Sequence, residues 1–263
     1  MKKSLFISFF IFVGLIDVSS LLSQTISVKQ ITSGISNSIN NKSSILIAGL
    51  IGSSISTRYD DRIQESYQGK VLSENQATLG DYWGIAGQLI VLGSLKYGSN
   101  EFNSTTSAII GNGLCTYGLK FILGRVRPDG SNRRSFPSGH TSSSFLAATI
   151  AHDLYGSKVS APAYVLAGLT GLSRIHDDKH YLSDVIFGAS LGIALGRGFS
   201  QNLQKKTLQK IDDGGIKIRI NNLNNDHRIY FSGYYEKYIS KINSYNHLFY
   251  LFYCYNINYN KFS

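Results

Sequence analysis

Six apolar segments of helix length, set apart by polar breaks, fill residues 43–200. They cover 44–56, 81–96, 104–123, 138–155, 159–174 and 180–200. Segments this long exceed ordinary strands, so they predict helices. Packed together they form an all-α bundle of about six core helices. Gly188, Gly192 and Gly196 recur every four residues, which puts them on one side of the last helix, where a neighbouring backbone can come close. A hydrophobic fraction of 43% can fill a core and excludes wholesale disorder. A mean hydropathy of −0.05 argues against six clean membrane spans, each of which would need about 20 apolar residues.

The ends differ from this middle. Lys2 and Lys3 precede an apolar run from Leu5 to Ile16, followed by small residues at Val18-Ser19-Ser20. That order reads as an export signal or N-terminal anchor over 1–23. It implies a protein sent to the periplasm or to the periplasmic face of a bacterial membrane. Residues 24–42 are Ser/Asn-rich and read as a loose polar leader. Residues 57–80, which include Arg58, Asp60, Asp61 and Arg62, read as a solvated polar connection. Residues 201–263 carry nine Lys/Arg against four Asp/Glu and nine Tyr, and read as a small, irregular, basic extension. Within it, Ile216–Ile220 alternates at period two, a strand signal. Leu248–Tyr255 is aromatic enough for a lipid interface. The net charge of +10 suits an anionic partner. With an export signal and no recognised nucleic-acid module, nucleic acid is excluded as that partner.

Three segments carry candidate chemistry. In Lys120-Phe-Ile-Leu-Gly-Arg-Val-Arg127-Pro128 the outer cations are seven apart, so a helix ended by Pro128 would place both on one face. Alone, such a face is ordinary solvated surface. Ser135-Phe136-Pro137-Ser138-Gly139-His140-Thr141 reads as a helix start with Ser138 as N-cap. Its free N–H groups suit a phosphate, and Gly139 allows close approach. In Ser173-Arg174…His180-Tyr-Leu-Ser-Asp184, a four-residue spacing on a helix lays the carboxylate over the imidazole. Arg174 adds a fork for phosphate oxygens. Arg125, Arg133 and Arg134 could rim an anionic pocket. His152 reads as packing, His176 and the adjacent Asp177 and Asp178 as solvated loop, and Cys115 as a buried thiol.

Together the three segments resemble the phosphatidic acid phosphatase type 2 superfamily, which also holds class A acid phosphatases and vanadium-dependent haloperoxidases. Its pattern is K-x6-R-P, P-S-G-H and S-R-x5-H-x3-D. The match falls on Lys120, Arg127, Pro128, Pro137, Ser138, Gly139, His140, Ser173, Arg174, His180 and Asp184. The resemblance covers roughly 43–200. Eight residues separate Pro128 from Pro137, a short spacing that leaves little room for a lid. The resemblance implies a phosphatase in which His180 attacks phosphorus to give a phosphohistidine, Asp184 orients it, and His140 serves as acid and then base. Lys120, Arg127, Arg174, Ser138 and Gly139 would bind the phosphate oxygens, with no metal or other cofactor. The implied substrates are lipid phosphates at a membrane surface or, alternatively, soluble phosphate esters. A haloperoxidase and a non-catalytic phosphate-binding protein are the remote alternatives.

Overall fold

The computed structural model describes residues 27–213 together with 217–220 and 229–232. The sequence-predicted signal at 1–23 and the aromatic run Leu248–Tyr255 lie outside those residues. The chain divides into two compact units, Met1–Gln204 and Lys205–Ser263.

The described elements up to Asp213 are all helical, the last of them running past Gln204. They are α1 (Val28–Asn41), α2 (Ser43–Ser56), a 3₁₀ turn (Thr57–Tyr59), α3 (Asp60–Tyr67), α4 (Glu74–Gly93), α5 (Asn100–Leu123), α6 (Gly139–Tyr155), α7 (Ser157–His176) and α8 (Leu182–Asp213). The six expected helices are α2 and α4–α8. In the second unit, β1 (Lys217–Ile220) pairs antiparallel with β2 (Ile229–Ser232), Lys217 opposite Ser232. The described part of the period-two stretch, Lys217–Ile220, is thus a strand.

Two polar stretches depart from expectation. The loose leader is largely helix α1, and the solvated connection contains helix α3. Gly34 and Ser38 of α1 are buried. A Cβ on Gly34 would lie 2.4 Å from the Phe199 ring, and one on Gly198 would lie 2.0 Å from Ser38 Oγ. Close approach through small residues seats α1 on α8, and Ile35 of the same helix packs against the hydrophobic core. In α3, Asp60 and Gln64 are buried. Gln64 Nε2 donates to the Ile175 carbonyl at 2.8 Å, which ties α3 to the end of α7.

Local signals set the other boundaries. Ser73 and Gln76 form a reciprocal capping box on α4. Ser99 Oγ accepts from Phe102 N–H at 3.1 Å at the start of α5. Leu146, Ile150, Phe187, Leu191, Leu195 and Phe199 form the core of the α6–α8 seam. Gly188, Gly192 and Gly196 open that seam: a Cβ there would meet Ser138 O at 2.7 Å, Ser142 O at 2.2 Å and Thr149 Cβ at 2.8 Å. Much of the remaining interior is hydroxylated. Ser107, Ser144, Thr149 and Thr170 are fully buried, and each donates to the carbonyl four residues earlier.

Candidate active site

Helix α5 ends at Leu123, earlier than Pro128 would require. Gly124 closes it in the left-handed region (φ 54°), its N–H bonded to the Lys120 carbonyl at 3.1 Å. Arg127 therefore lies in the following loop and does not share a helix face with Lys120. Ser138 does occupy the N-cap of α6, but its hydroxyl pairs with Thr141 Oγ1 at 2.8 Å and caps no backbone N–H. The Phe136–Pro137 peptide bond is cis. His180 precedes α8, so the geometry of a helical turn does not set its distance to Asp184. A loop holds it instead, with the His180 N–H donating to the Arg174 carbonyl at 3.1 Å.

Despite these local differences, Lys120, Arg127, Gly139, His140 and His180 line one cavity of about 320 Å³. Asn112, Thr116, Tyr117, Arg134, Ser143 and Ile85 share its wall. Ser138, Arg174 and Asp184 are buried and are not among the lining residues. Lys120 Nζ donates to the carbonyls of Arg134 (2.7 Å), Ser135 (3.3 Å) and Pro137 (2.6 Å). Burial, with Arg127 nearby, lowers its pKa to about 8. The Arg127 Nε is buried and has no partner among the described residues.

His180 is 2% exposed, and its Nδ1 stands 3.6 Å from Asp184 Oδ2. Burial lowers its pKa to about 4, and the Lys120 and Arg127 charges act in the same direction. His140 is likewise lowered to about 4, by burial first and Arg174 second. Both rings are therefore neutral at pH 7, the form required of a nucleophile or a base. Burial opposes ionisation of Asp184. The His180, Arg125 and Ser135 side chains outweigh it and hold the carboxyl below its usual range.

Three supporting groups carried no motif signal. Asp81 pairs with Arg174 and accepts from Ser173 Oγ at 3.0 Å. Gly84 leaves the space that His140 occupies, since a Cβ there would lie 2.6 Å from Cδ2 of that ring. Asp60 accepts from Arg125 Nη2 at 2.7 Å. Arg125 is no rim residue: its Nη1 donates to Asp184 Oδ1 at 2.7 Å. Arg134 does reach the cavity wall, its guanidinium 5.2 Å from the centre of the Phe121 ring. His152 packs through Nδ1 against Ser160 Oγ at 2.9 Å. His176 is the last residue of α7, and its Nδ1 accepts from the Leu72 N–H at 3.3 Å, so it is tied down rather than solvated. Cys115 is half-buried, and burial raises its thiol pKa.

Residues 103–208 match the family model of the PAP2 superfamily. Among curated PAP2 relatives, the chain is 46% identical over 80 residues to the lipid A 1-phosphatase of Porphyromonas gingivalis, covering 29% of this chain and 18% of that protein. It is 33% identical over 105 residues to phosphatidylglycerophosphatase B of Bacillus subtilis, covering 33% of this chain and 52% of that one. The chain thus spans only part of both relatives. The crystal structure of a transmembrane PAP2 type phosphatidylglycerolphosphate phosphatase from Bacillus subtilis superposes with a TM-score of 0.50 at 20% identity. That match covers 62% of this chain and 95% of the other, and it shows a shared helical fold.

Proposed function

We propose that this PAP2 protein is a metal-independent phosphomonoesterase that acts on lipid phosphates at a membrane through a phosphohistidine. One observation carries the lipid reading. Ile85 and Tyr117 line the cavity, and they also belong to an apolar surface that faces outward, 52% and 56% exposed. Around them Leu79, Leu89, Leu114 and Phe121 are exposed on α4 and α5. An apolar face of this kind marks contact with lipid or another apolar partner. The two relatives named above are phosphatases of lipid A and of phosphatidylglycerophosphate by name. On this reading an acyl chain lies along the apolar face while the phosphate enters between Lys120, Arg127 and His180.

The chemistry proceeds in two transfers. One ring nitrogen of His180 forms a bond to phosphorus as the ester P–O bond breaks, while Asp184 steadies the imidazolium through Nδ1–H. His140, neutral before substrate enters, takes up a proton as the phosphate anion offsets the surrounding cations, and passes it to the departing alkoxide. It then takes a proton from the water that cleaves the P–N bond. Arg127 and Lys120 stabilise charge on the phosphoryl oxygens, Lys120 by exchanging a carbonyl for the anion. Arg174, held by Asp81, supports them from behind the wall.

His180→Ala should reduce phosphate release by at least about 10^3-fold. The assay is release from lipid A 1-phosphate, phosphatidylglycerophosphate and p-nitrophenyl phosphate, each with and without EDTA. Turnover by the variant near that of the parent would refute the nucleophile. Loss of parent activity in EDTA would refute the metal-free chemistry. Equal activity on the soluble and lipid esters would favour the soluble-ester alternative.

A further inference from the structure

The polar stretch before α4 contributes a buried carboxylate to the back of the site. Asp60 opens α3 and is 2% exposed. Its Oδ1 accepts from the Ser183 N–H at 3.0 Å, and its Oδ2 accepts from the Ser183 hydroxyl and from Arg125 Nη2. Arg125 is a bridge. Its Nη1 donates to Asp184 Oδ1 at 2.7 Å and to Ser183 Oγ at 2.6 Å, and its guanidinium lies 4.2 Å from the centre of the Tyr181 ring. Asp184 also accepts from Ser135 Oγ at 2.5 Å and from the Tyr181 N–H at 3.0 Å. The chain of contacts therefore runs Asp60, Arg125, Asp184, His180, and it joins α3, the loop after α5 and the start of α8.

An arginine beside Asp184 has two opposed effects. It aims the carboxylate, and it also draws the negative charge away from the imidazole. A second carboxylate on the far side of the guanidinium balances the arginine and leaves Asp184 available to His180. We propose that Asp60 is a positioning residue for the site: through Arg125 it holds Asp184 in place and keeps that carboxylate's charge directed at His180. This inference rests on the nucleophile and orienting roles given above. The charged groups facing His180 are Lys120 on α5, Arg127 in the loop after it and Asp184 on α8. Arg125 and Asp60 act on the ring through Asp184.

The test compares Asp60→Asn, Asp60→Glu, Arg125→Lys and His180→Ala in the full chain, by steady-state hydrolysis of p-nitrophenyl phosphate across pH. Removing the Asp60 charge should lower kcat by about 10- to 100-fold with KM little changed, as loss of a second-layer carboxylate typically does. The acid limb of kcat should move to lower pH, because a more positive surrounding disfavours the His180 imidazolium. Asp60→Glu should restore part of kcat and the limb. Parental kcat in Asp60→Asn overturns the proposal. So does a loss of kcat with an unmoved limb and no rescue by glutamate, which would mark a structural role. If Asp60→Asn does not fold, Arg125→Lys decides, since one ammonium cannot bridge both carboxylates, and parental kcat there overturns the proposal equally. His180→Ala separates the two layers. An active His180→Ala defeats the nucleophile itself, whereas an inactive one beside a normal Asp60→Asn defeats only the positioning role.

Discussion

Gly84 sets where His140 can stand. Its missing Cβ is the space beside the imidazole, with Cδ2 only 2.6 Å from where that carbon would be. Gly84→Ala should push the ring out of line for proton transfer. Turnover of alkyl phosphates should fall by about 100-fold, the lower end of what a placed acid contributes. Nitrophenyl esters, whose leaving group needs no proton, should lose far less. Steady-state rates on the two ester types check this, and equal losses would refute it. At this scale the sequence was legible wherever a residue sits in a motif of fixed spacing. Lys120, Arg127, Gly139, His140 and His180 share one cavity, although neither the Lys120–Arg127 nor the His180–Asp184 pair has the helical relation its spacing suggested. Asp60 was not legible. Its partner Ser183 is 123 residues away, and nothing local distinguishes a buried Asp in a polar run from a solvated one.

The elements follow the same division. Helices built on long apolar segments, α2 and α4–α8, were evident from segment length, while α1 and α3 were not. In α1 the buried residues are Gly34 and Ser38; Val28, Ile31, Ile35 and Ile39 do recur at helical spacing, but single apolar residues scattered through a Ser/Asn-rich run form no apolar segment. Close backbone contact governs the α6–α8 seam as well. A Cβ on Gly192 would lie 2.2 Å from the Ser142 carbonyl oxygen, and backbone cannot step aside as a side chain can. Gly192→Val should force the two helices apart and cost about 1–3 kcal/mol of stability or more. A lowered unfolding midpoint checks this. An unchanged midpoint would mean that the seam yields more easily than its geometry implies.

Across the first unit, the usual distribution of side chains is partly inverted. Hydroxyls and small residues fill much of the interior, while large aliphatic and aromatic side chains of α2, α4 and α5 face outward. Buried Ser and Thr lower the mean hydropathy without making the outside polar, so an average near zero says little about that surface. Among the described residues, one stretch, Leu182–Ser200, is long and apolar enough to cross a membrane, and it is mostly buried. On α2, Leu50 and Ile51 are about half exposed and are not among the cavity-lining residues. Leu50→Glu with Ile51→Glu should weaken partitioning into phosphatidylcholine vesicles by well over 10-fold, at about 2.5 kcal/mol per charge placed in hydrocarbon. Hydrolysis of p-nitrophenyl phosphate should stay near the parental rate. Undiminished vesicle binding, measured by co-sedimentation, would refute lipid contact by α2.

Lys120 reaches further than a single charge. Its ammonium donates to three carbonyls of the 134–137 segment. Under the proposed chemistry, an entering phosphate must displace at least one of those oxygens, and the same oxygens return as inorganic phosphate departs. On that chemistry the loop would compete with the product for one cation, which would favour product release and temper inhibition by free phosphate.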